Sequence, residues 1–141
     1  MSIAGFDHAA IPIADVNAML RFYEALGCEV VEVQPPLFYS VVFGDNKINF
    51  HGPEAWQSGT FTLRGPTARP GCGDFCFVWD GLADELAEML ARADAPVVEG
   101  PVPRVGGRGE TGTSTYIRDP DGNLLEFIVY AAGAGERRAA R

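Results

Sequence analysis

The two halves of this chain follow the same order of hydrophobic patterns, and this repeat limits the possible fold more than any other feature of its 141 residues. In each half, an alternating apolar stretch comes first, and a stretch with apolar residues three or four positions apart comes second. Three short alternating stretches follow. Alternation is typical of strands, and spacing by three or four is typical of a helix. The sequence therefore predicts two consecutive βαβββ units.

The predicted elements of the first unit are a strand over residues 6–13, a helix over 16–26, and strands over 29–33, 38–43 and 47–51. The second unit has a strand over 74–79, a helix over 82–93, and strands over 97–98, 115–118 and 123–130. Asp15 and Asp80 are candidate N-caps, and Gly27 suits the end of the first helix. We expect one α+β domain with repeat one at about 4–52, a linker at 53–71, repeat two at about 72–131 and a tail at 132–141.

One helix covers one face of a four-stranded sheet, so the opposite face is expected to line a cleft. Successive strand residues point to opposite faces. In the first unit, Ile48 and Phe50 should lie under the helix, which leaves Lys47, Asn49 and His51 on the cleft side. In the second unit the same reasoning gives the following cleft-side residues: Asp74, Cys76, Val78, Leu124, Glu126, Ile128 and Tyr130.

Composition excludes several classes of protein. A net charge of −8 argues against a sequence-independent nucleic-acid binder, because phosphate contacts require clustered Lys and Arg. No apolar run approaches the roughly 20 residues of a membrane helix, and the first residues lack a secretory signal pattern, so we expect a cytoplasmic protein. Three cysteines without CxxC spacing predict neither a disulfide framework nor a cysteine zinc site. We expect them to be reduced, small core residues.

The only two histidines, His8 and His51, both fall on strands beside the predicted cleft, where Glu126 and Asp74 are also expected. Two imidazoles and one carboxylate with open positions suit non-haem Fe(II), and the same set could hold Mn²⁺, Zn²⁺ or Ni²⁺. Glu126 is flanked by apolar residues and would be costly to bury unpaired, so a cation or an arginine such as Arg118 should compensate its charge. Asp74 would be a fourth ligand or a general base.

The glycine-rich segment at residues 101–114 carries Arg104 and Arg108. Its composition predicts a surface loop. As a functional element, it would be a lid whose arginines or backbone N–H groups meet an anionic substrate oxygen.

Three motifs resemble the vicinal oxygen chelate superfamily, which contains glyoxalases, bleomycin-resistance proteins and extradiol dioxygenases. They are Asp7-His8, Arg21-Phe-Tyr-Glu-Ala-Leu-Gly27 and Tyr116-Ile-Arg-Asp-Pro-Asp-Gly-Asn-Leu-Leu-Glu126. A further segment, Asp45-Asn-Lys-Ile-Asn-Phe-His51, is similar to the small glyoxalase-domain proteins of that superfamily. The resemblance runs from about residue 6 to residue 130, and it implies a curved mixed-sheet cleft.

The resemblance also implies a divalent metal in the cleft, with ligands from the first and last strands of both units. Those positions are occupied here by His8, Asn49, Asp74 and Glu126. Asn49 departs from the carboxylate that is common at its position, and His51, on the same strand face, is the candidate replacement. Substrate contacts are expected from Asn49, Arg104, Arg108 and Tyr130.

Three functions remain open on this basis. The first is a metal-dependent lyase, isomerase or dioxygenase that chelates two neighbouring oxygens of a small substrate. Its ion would be held by His8, His51 and Glu126, with Asp74 as fourth ligand or base. The second is a non-catalytic, bleomycin-resistance-like binding protein, and the third is a fosfomycin-type thiol transferase. The family often dimerises, and exposed sheet edges favour association, so we expect a homodimer with a small-molecule substrate.

Overall fold

The computed structural model describes residues 1–131, so the predicted tail lies outside the described residues. These residues form two compact units. The first unit contains residues 1–73 and 120–123, and the second contains 74–119 and 124–131. The segment predicted as a linker therefore belongs to the first unit. Between residues 1 and 131, no helix has the length and apolar character needed to cross a membrane.

The first unit contains a four-stranded sheet with a helix between its first two strands. Its elements are β1 (His8–Pro12), α1 (Val16–Ala25), β2 (Glu29–Gln34), β3 (Phe38–Phe43), β4 (Asn46–His51) and the short α2 (Pro53–Trp56). The strand order is β1-β4-β3-β2. β1 pairs with β4 in parallel, and the other pairs are antiparallel.

The second unit repeats this arrangement. Its elements are β5 (Asp74–Val78), α3 (Ala83–Arg92), β6 (Glu99–Val105), β7 (Thr111–Arg118) and β8 (Leu124–Val129). The order is β5-β8-β7-β6, with β5 and β8 parallel. Both units are βαβββ modules, so the predicted α+β fold is confirmed.

Helix α1 begins and ends where the sequence indicated. The Asp15 carboxylate accepts a hydrogen bond from the Ala18 amide at 3.0 Å and caps the helix. Gly27 follows the helix with a φ of 95°, a conformation that favours glycine. Tyr23 is fully buried and its ring contacts Phe50 edge-on, with 5.3 Å between centroids. The helix therefore covers the sheet face that carries Phe50, as predicted.

The core of the second unit follows the same logic. Leu86, Met89 and Leu90 on α3 are buried, and so are Leu125 and Phe127 on β8. In contrast, Asp74, Cys76 and Val78 on β5 are exposed. The predicted division into an apolar and a cleft-side face is therefore visible in the burial of β5. On β8 it holds for residues 124–127 only, because Ile128, predicted on the cleft side, is buried and Val129, predicted under the helix, is half-buried.

The predicted N-cap of the second helix was wrong. Asp80 does not cap α3: the N-cap residue is Leu82, whose amide donates to the Glu85 carboxylate at 3.3 Å. Glu85 thus satisfies the amide of the N-cap residue itself, and the Leu82 side chain has no oxygen that could accept from the amides of the first turn.

Residues 101–114 are not a loop, since most of them form the β6–β7 hairpin with its turn at 106–110. Two prolines of this segment, Pro101 and Pro103, lie on β6, which is an edge strand of its sheet. An edge strand tolerates a residue without an N–H donor.

The prediction of core cysteines was also wrong for two of the three. All three are free thiols, but Cys72 and Cys76 are exposed and only Cys28 is partly buried. Burial raises the pKa of Cys28 to about 11. Cys76 lies on the polar side of β5, where alternation outweighs the general preference of cysteine for the core.

The Asp-Pro-Asp-Gly-Asn turn has a second role that its turn chemistry did not reveal. The Asp121 carboxylate accepts hydrogen bonds from the amides of Ala14 (2.7 Å) and Asp15 (3.2 Å). The Asn123 amide oxygen accepts from Gly73 at 2.8 Å. These bonds explain why residues 120–123 are part of the first unit.

Replacing Asp15 by Ala should lower the free energy of unfolding by about 1 kcal/mol, because the Ala18 amide at the helix start loses the carboxylate oxygen that accepts its hydrogen bond. Urea unfolding followed by circular dichroism measures the change. The matched control is Glu24→Ala on the exposed side of the same helix, which should change stability by less than about 0.5 kcal/mol. Equal effects of the two substitutions would contradict the capping role.

Candidate functional site

The sheet face of the first unit that points away from α1 carries its polar candidates. We call it the first polar face. The register places His8 opposite Lys47, and Ala10 opposite Asn49. Asn49 lies opposite Ser40 on β3, and the Ser40 hydroxyl donates to the Asn49 side-chain oxygen at 2.9 Å. Alternation had predicted this face for Lys47, Asn49 and His51.

His8 lies at the exposed start of β1 and is held by its neighbour. Its Nδ1 atom is 2.6 Å from a carboxylate oxygen of Asp7. The hydrogen bond from His8, together with the charge of its ring when protonated, lowers the pKa of Asp7. A proton on Nδ1 leaves Nε2 with a lone pair. This is the arrangement in which histidine commonly binds a metal, with a carboxylate fixing the opposite ring nitrogen.

His51 is in a different environment. It is buried, and its ring makes edge contacts with Phe38 (5.8 Å between centroids) and Phe61 (5.0 Å). The two phenylalanine rings also contact each other at 5.3 Å. Burial, and then the charge of Arg64, lower the pKa of His51. The imidazole is therefore held in its neutral form by an aromatic cluster, Phe38–His51–Phe61.

His8 and His51 share a face but not a position along it. His8 lies opposite Lys47, and His51 lies four residues further along β4, opposite Pro12. At about 3.3 Å per residue, this offset is about 13 Å along the strands. Ring nitrogens bind such ions at about 2.0–2.1 Å. The offset weighs against one ion bound by both imidazoles of the same unit.

The second polar face is the corresponding side of the second sheet. Cys76, Glu126 and Tyr116 form one cross-strand row over β5, β8 and β7. The Ser114 hydroxyl donates to the Glu126 carboxylate at 2.5 Å. Glu126 is thus a half-buried carboxylate with hydroxyl neighbours on one side and a thiol on the other.

Tyr116 is part of a chain of polar contacts that ends in an ion pair. The Arg104 Nε atom donates to the Tyr116 hydroxyl at 3.1 Å, and one terminal nitrogen donates to Glu99 at 3.2 Å. The other terminal nitrogen donates to the Pro103 carbonyl at 2.9 Å. Burial raises the pKa of Tyr116, the hydrogen bond from Arg104 opposes that rise, and Glu126 adds to it. Tyr116 therefore remains a neutral hydroxyl beside Glu126.

Cys76 and Asp74 occupy the edge strand of this face. Although the Cys76 residue is exposed as a whole, burial of its thiol is the largest of the causes that raise its pKa to about 12, and Glu126 is the next. A thiol held protonated is a poor soft ligand, because the thiolate is the metal-binding form. Asp74 is exposed at the start of β5. Its carboxylate is open to solvent.

The remaining predicted contacts, Arg108 and Tyr130, lie together. The Arg108 guanidinium carbon is 4.4 Å from the centroid of the Tyr130 ring. This stacked arrangement is a cation–π contact. It lies at the turn between β6 and β7, where the sequence predicted a lid.

Within the described residues 1–131, no three His, Cys, Asp or Glu side chains are grouped closely enough to hold a metal ion. The four-residue ligand set therefore stays a prediction. The donors fit a divalent metal one by one, because the His8 ring is oriented by a carboxylate and Glu126 by a hydroxyl. Outer partners of this kind orient metal ligands in many proteins.

Sequence reasoning missed the residues that orient the candidates: Ser40, Ser114, Tyr116 and the carboxylate of Asp7. Ser114 was placed at the end of a loop, so the alternation rule was not applied to it. Extension of the predicted strand 115–118 back to Thr111, where β7 begins, places Ser114 on the same face as Tyr116 by this rule.

The sequence model of the Glyoxalase/Bleomycin resistance protein/Dioxygenase superfamily matches residues 5–127. The chain is 36% identical over 131 residues to the virulence protein STM3117 of Salmonella typhimurium, covering 92% of this chain and 87% of that protein. It is 37% identical over 132 residues to the glyoxalase domain-containing protein RDO1 of Mycosarcoma maydis, covering 92% of this chain and 70% of that protein.

Solved structures agree with the sequence match. The crystal structure of STM3117 superposes with a TM-score of 0.81 at 35% identity, covering 93% of this chain and 100% of the other. Lactoylglutathione lyase from Agrobacterium tumefaciens gives a TM-score of 0.69 at 25% identity, covering 95% and 97%. The family match over nearly the whole length and the shared pair of βαβββ modules lead to one conclusion. The chain belongs to the glyoxalase/bleomycin resistance protein/dioxygenase superfamily, also called the vicinal oxygen chelate superfamily.

Proposed function

We propose that the protein is a metal-dependent enzyme of the glyoxalase or dioxygenase type that acts on a small oxygenated molecule. The observation that carries the proposal is the 2.6 Å contact between Asp7 and His8 Nδ1, which prepares the other ring nitrogen for a cation. The similarity to a lactoylglutathione lyase supports an enzymatic function.

His8 and Glu126 are the proposed protein ligands, with Asp74 as third ligand or as general base. The set follows the positions that the family resemblance implies. The ion would be Fe, Mn, Zn or Ni, since the donors are imidazole nitrogen and carboxylate oxygen. When bound, it would act as a Lewis acid toward two neighbouring substrate oxygens.

The neighbours of Glu126 have a positioning role in this proposal. The Ser114 hydroxyl donates to one oxygen of the Glu126 carboxylate and so restricts the rotation of that group. Tyr116 would donate a hydrogen bond to the same carboxylate or to the substrate, because it stays protonated. All three nitrogen atoms of the Arg104 guanidinium donate hydrogen bonds to protein groups. Arg104 would therefore act by positioning the Tyr116 hydroxyl.

Asn49, Arg108 and Tyr130 are the proposed substrate contacts. Asn49 is fixed by Ser40 through its oxygen, so its NH₂ group is the part that would donate to a substrate oxygen. His51 is assigned to the wall of the first polar face as a neutral imidazole beside Phe38 and Phe61. The sequence prediction made His51 a metal ligand. We propose a different role because His51 lies four residues along β4 from Lys47, the residue opposite His8.

Replacing Glu126 by Gln should weaken metal binding by more than about 10-fold, because the substitution removes a charged ligand. Metal-free protein titrated with Mn²⁺ in a calorimeter measures the affinity, and elemental analysis of protein purified without chelator identifies the native ion. Glu88→Gln on the exposed side of α3 removes the same charge away from the polar face and should leave the affinity unchanged.

Asp7→Asn tests the same site through the histidine. It keeps the size of the side chain, loses the charged acceptor for Nδ1, and should weaken Mn²⁺ binding by about 10- to 100-fold. Unchanged affinity in both the Glu126 and the Asp7 variants would rule out this metal site. A wild-type protein that binds no divalent metal would rule out the enzyme proposal.

The aromatic cluster favours a second candidate function, a non-catalytic small-molecule binding protein. Phe38, His51 and Phe61 form an apolar surface on the first polar face, and aromatic walls suit the binding of organic molecules. This function needs no ion. A metal-free protein that binds a small organic molecule without changing it would support this candidate.

The pH dependence of stability should report on His51. Its pKa is lower in the folded protein than the ordinary value of 6.5, so the folded state binds fewer protons than the unfolded state. Its contribution to stability is therefore complete above about pH 6.5 and is lost as the pH falls through the lowered pKa. Urea unfolding of chelator-treated protein between pH 5 and 8 should show this decline.

In the His51→Phe variant, the decline below pH 6.5 should be smaller than in the wild type, because the titrating ring is gone. The His8→Gln variant removes the only other histidine and should retain the His51 contribution. An unchanged decline in His51→Phe would show that other groups cause it.

We also propose a homodimer. β1 and β5 are edge strands, and the outer strands β2 and β6 expose Val33 (59%) and Val105 (72%). Unpaired strand edges with exposed apolar residues favour association. Light scattering should give a mass near twice the 15.1 kDa of one chain. A mass near one chain over a wide concentration range would refute the dimer.

A further inference from the structure

The second unit contains a cavity that none of the metal candidates lines. Its volume is about 460 Å³, and it lies where β5 and β8 end and α3 begins. Trp79, Leu82 and Val129 give it a largely apolar wall, and Arg108 and Asp80 are its charged lining residues. This size is within the usual range of small-molecule sites, roughly 300–1,000 Å³. A mainly apolar cavity with few charges suits a ligand that combines one charged group with an apolar body.

The positive charge of Arg108 favours a ligand with a negatively charged group. Its guanidinium stacks on the Tyr130 ring, 4.4 Å from the guanidinium carbon to the ring centroid. Its Nε atom is buried and has no hydrogen-bond partner within residues 1–131. This N–H is buried beyond the reach of a ligand, so an acceptor in the cavity would pair with the terminal nitrogens of the guanidinium. The poor hydration of the buried group strengthens its attraction for an anion. Guanidinium groups match carboxylates with two parallel hydrogen bonds.

The wall formed by Tyr130 is fixed by the turn beside it. A Cβ added at Gly106 would collide with the Tyr130 hydroxyl and lie 2.9 Å from Ile128 Cδ1. The turn itself is closed by a hydrogen bond from the Gly109 amide to the Gly106 carbonyl at 2.9 Å. The close approach therefore holds the stacking surface for Arg108 in place before any ligand binds, which lowers the ordering cost of binding.

We propose that this cavity binds a small organic carboxylate with a planar apolar body. The carboxylate would pair with Arg108, and the apolar body would lie against Trp79 and Val129. A single guanidinium with Asp80 nearby favours a monoanion over a doubly charged phosphate. The assignment of Arg108 and Tyr130 as substrate contacts rests on the proposed function. Binding of a carboxylate in this cavity requires neither metal nor turnover, because His8, Asp74 and Glu126 do not line it.

The test is a titration with 2-naphthylacetate and its neutral analogue 2-naphthylacetamide, followed by NMR of the two tryptophan indole N–H groups. Trp79 lines the cavity and donates its indole N–H to Leu82 at 3.1 Å. Trp56 donates to Ile13 in the first unit at 2.9 Å, so it is an internal control. We expect a saturable shift of the Trp79 signal, no shift of Trp56, and affinity for the amide at least about 10-fold weaker.

Two variants with the same change in charge complete the experiment. Arg108→Gln should weaken 2-naphthylacetate binding by about 10- to 100-fold and leave amide binding nearly unchanged. Arg92→Gln, on the exposed surface of α3, should leave both unchanged. Arg108→Lys keeps the charge but loses the planar stacking group, so its affinity should fall between those of the wild type and Arg108→Gln. Circular dichroism of each variant verifies folding.

Equal affinities for the acid and the amide, an acid titration that moves only Trp56, or unchanged binding in folded Arg108→Gln would each overturn the proposal. Failure of 2-naphthylacetate to bind at all would overturn it as well. The titration is repeated with chelator-treated protein. If chelator-treated protein still binds the carboxylate, the cavity site is supported even when the metal proposal fails. If the protein binds Mn²⁺ but not the carboxylate, the cavity site is refuted and the metal proposal stands.

Discussion

Parallel pairing of the first strand with the last strand in each unit determines the placement of the four candidate metal ligands, His8, His51, Asp74 and Glu126. In the first unit it sets His8 opposite Lys47 and His51 opposite Pro12, and in the second it sets Cys76 opposite Glu126. A slip of one residue would move each of these side chains to the helix-covered face. The buried residues of the opposite faces, such as Phe50 and Leu125, prevent that slip because their exposure would lose apolar burial.

The strand register places the candidate side chains, and the polar groups next to them determine their orientation and protonation. Asp7 orients His8, Ser40 fixes Asn49, and Ser114 contacts Glu126. The aromatic cluster has the opposite effect, because it removes water from His51 and keeps that ring neutral. The two units therefore differ chemically although they share one fold. The first combines an exposed, carboxylate-bound histidine with a buried one, whereas the second surrounds a carboxylate with hydroxyl and thiol groups.

Some of this could be predicted from the residues and some could not. Alternation correctly assigned Ile48 and Phe50 to the core, because a strand has only two faces and the apolar side chains must be buried on one of them. The Asp15 cap was also correct, since its hydrogen bond spans three residues. The β6–β7 hairpin was missed, because Pro101, Pro103 and the neighbouring glycines are locally typical of loops and the edge position that tolerates them is a property of the whole sheet.

The sequence by itself determined the repeat, the superfamily and the face on which each polar candidate lies, because all three follow from local spacing and from motifs of adjacent residues. The tertiary structure decided what depends on residues distant in the chain. It gave Asp121 the amides of Ala14 and Asp15 as partners, brought Arg64 close enough to affect His51, and stacked Arg108 on Tyr130. Such contacts depend on the distances between folded elements, and a pattern of spacing along the chain contains no information about those distances.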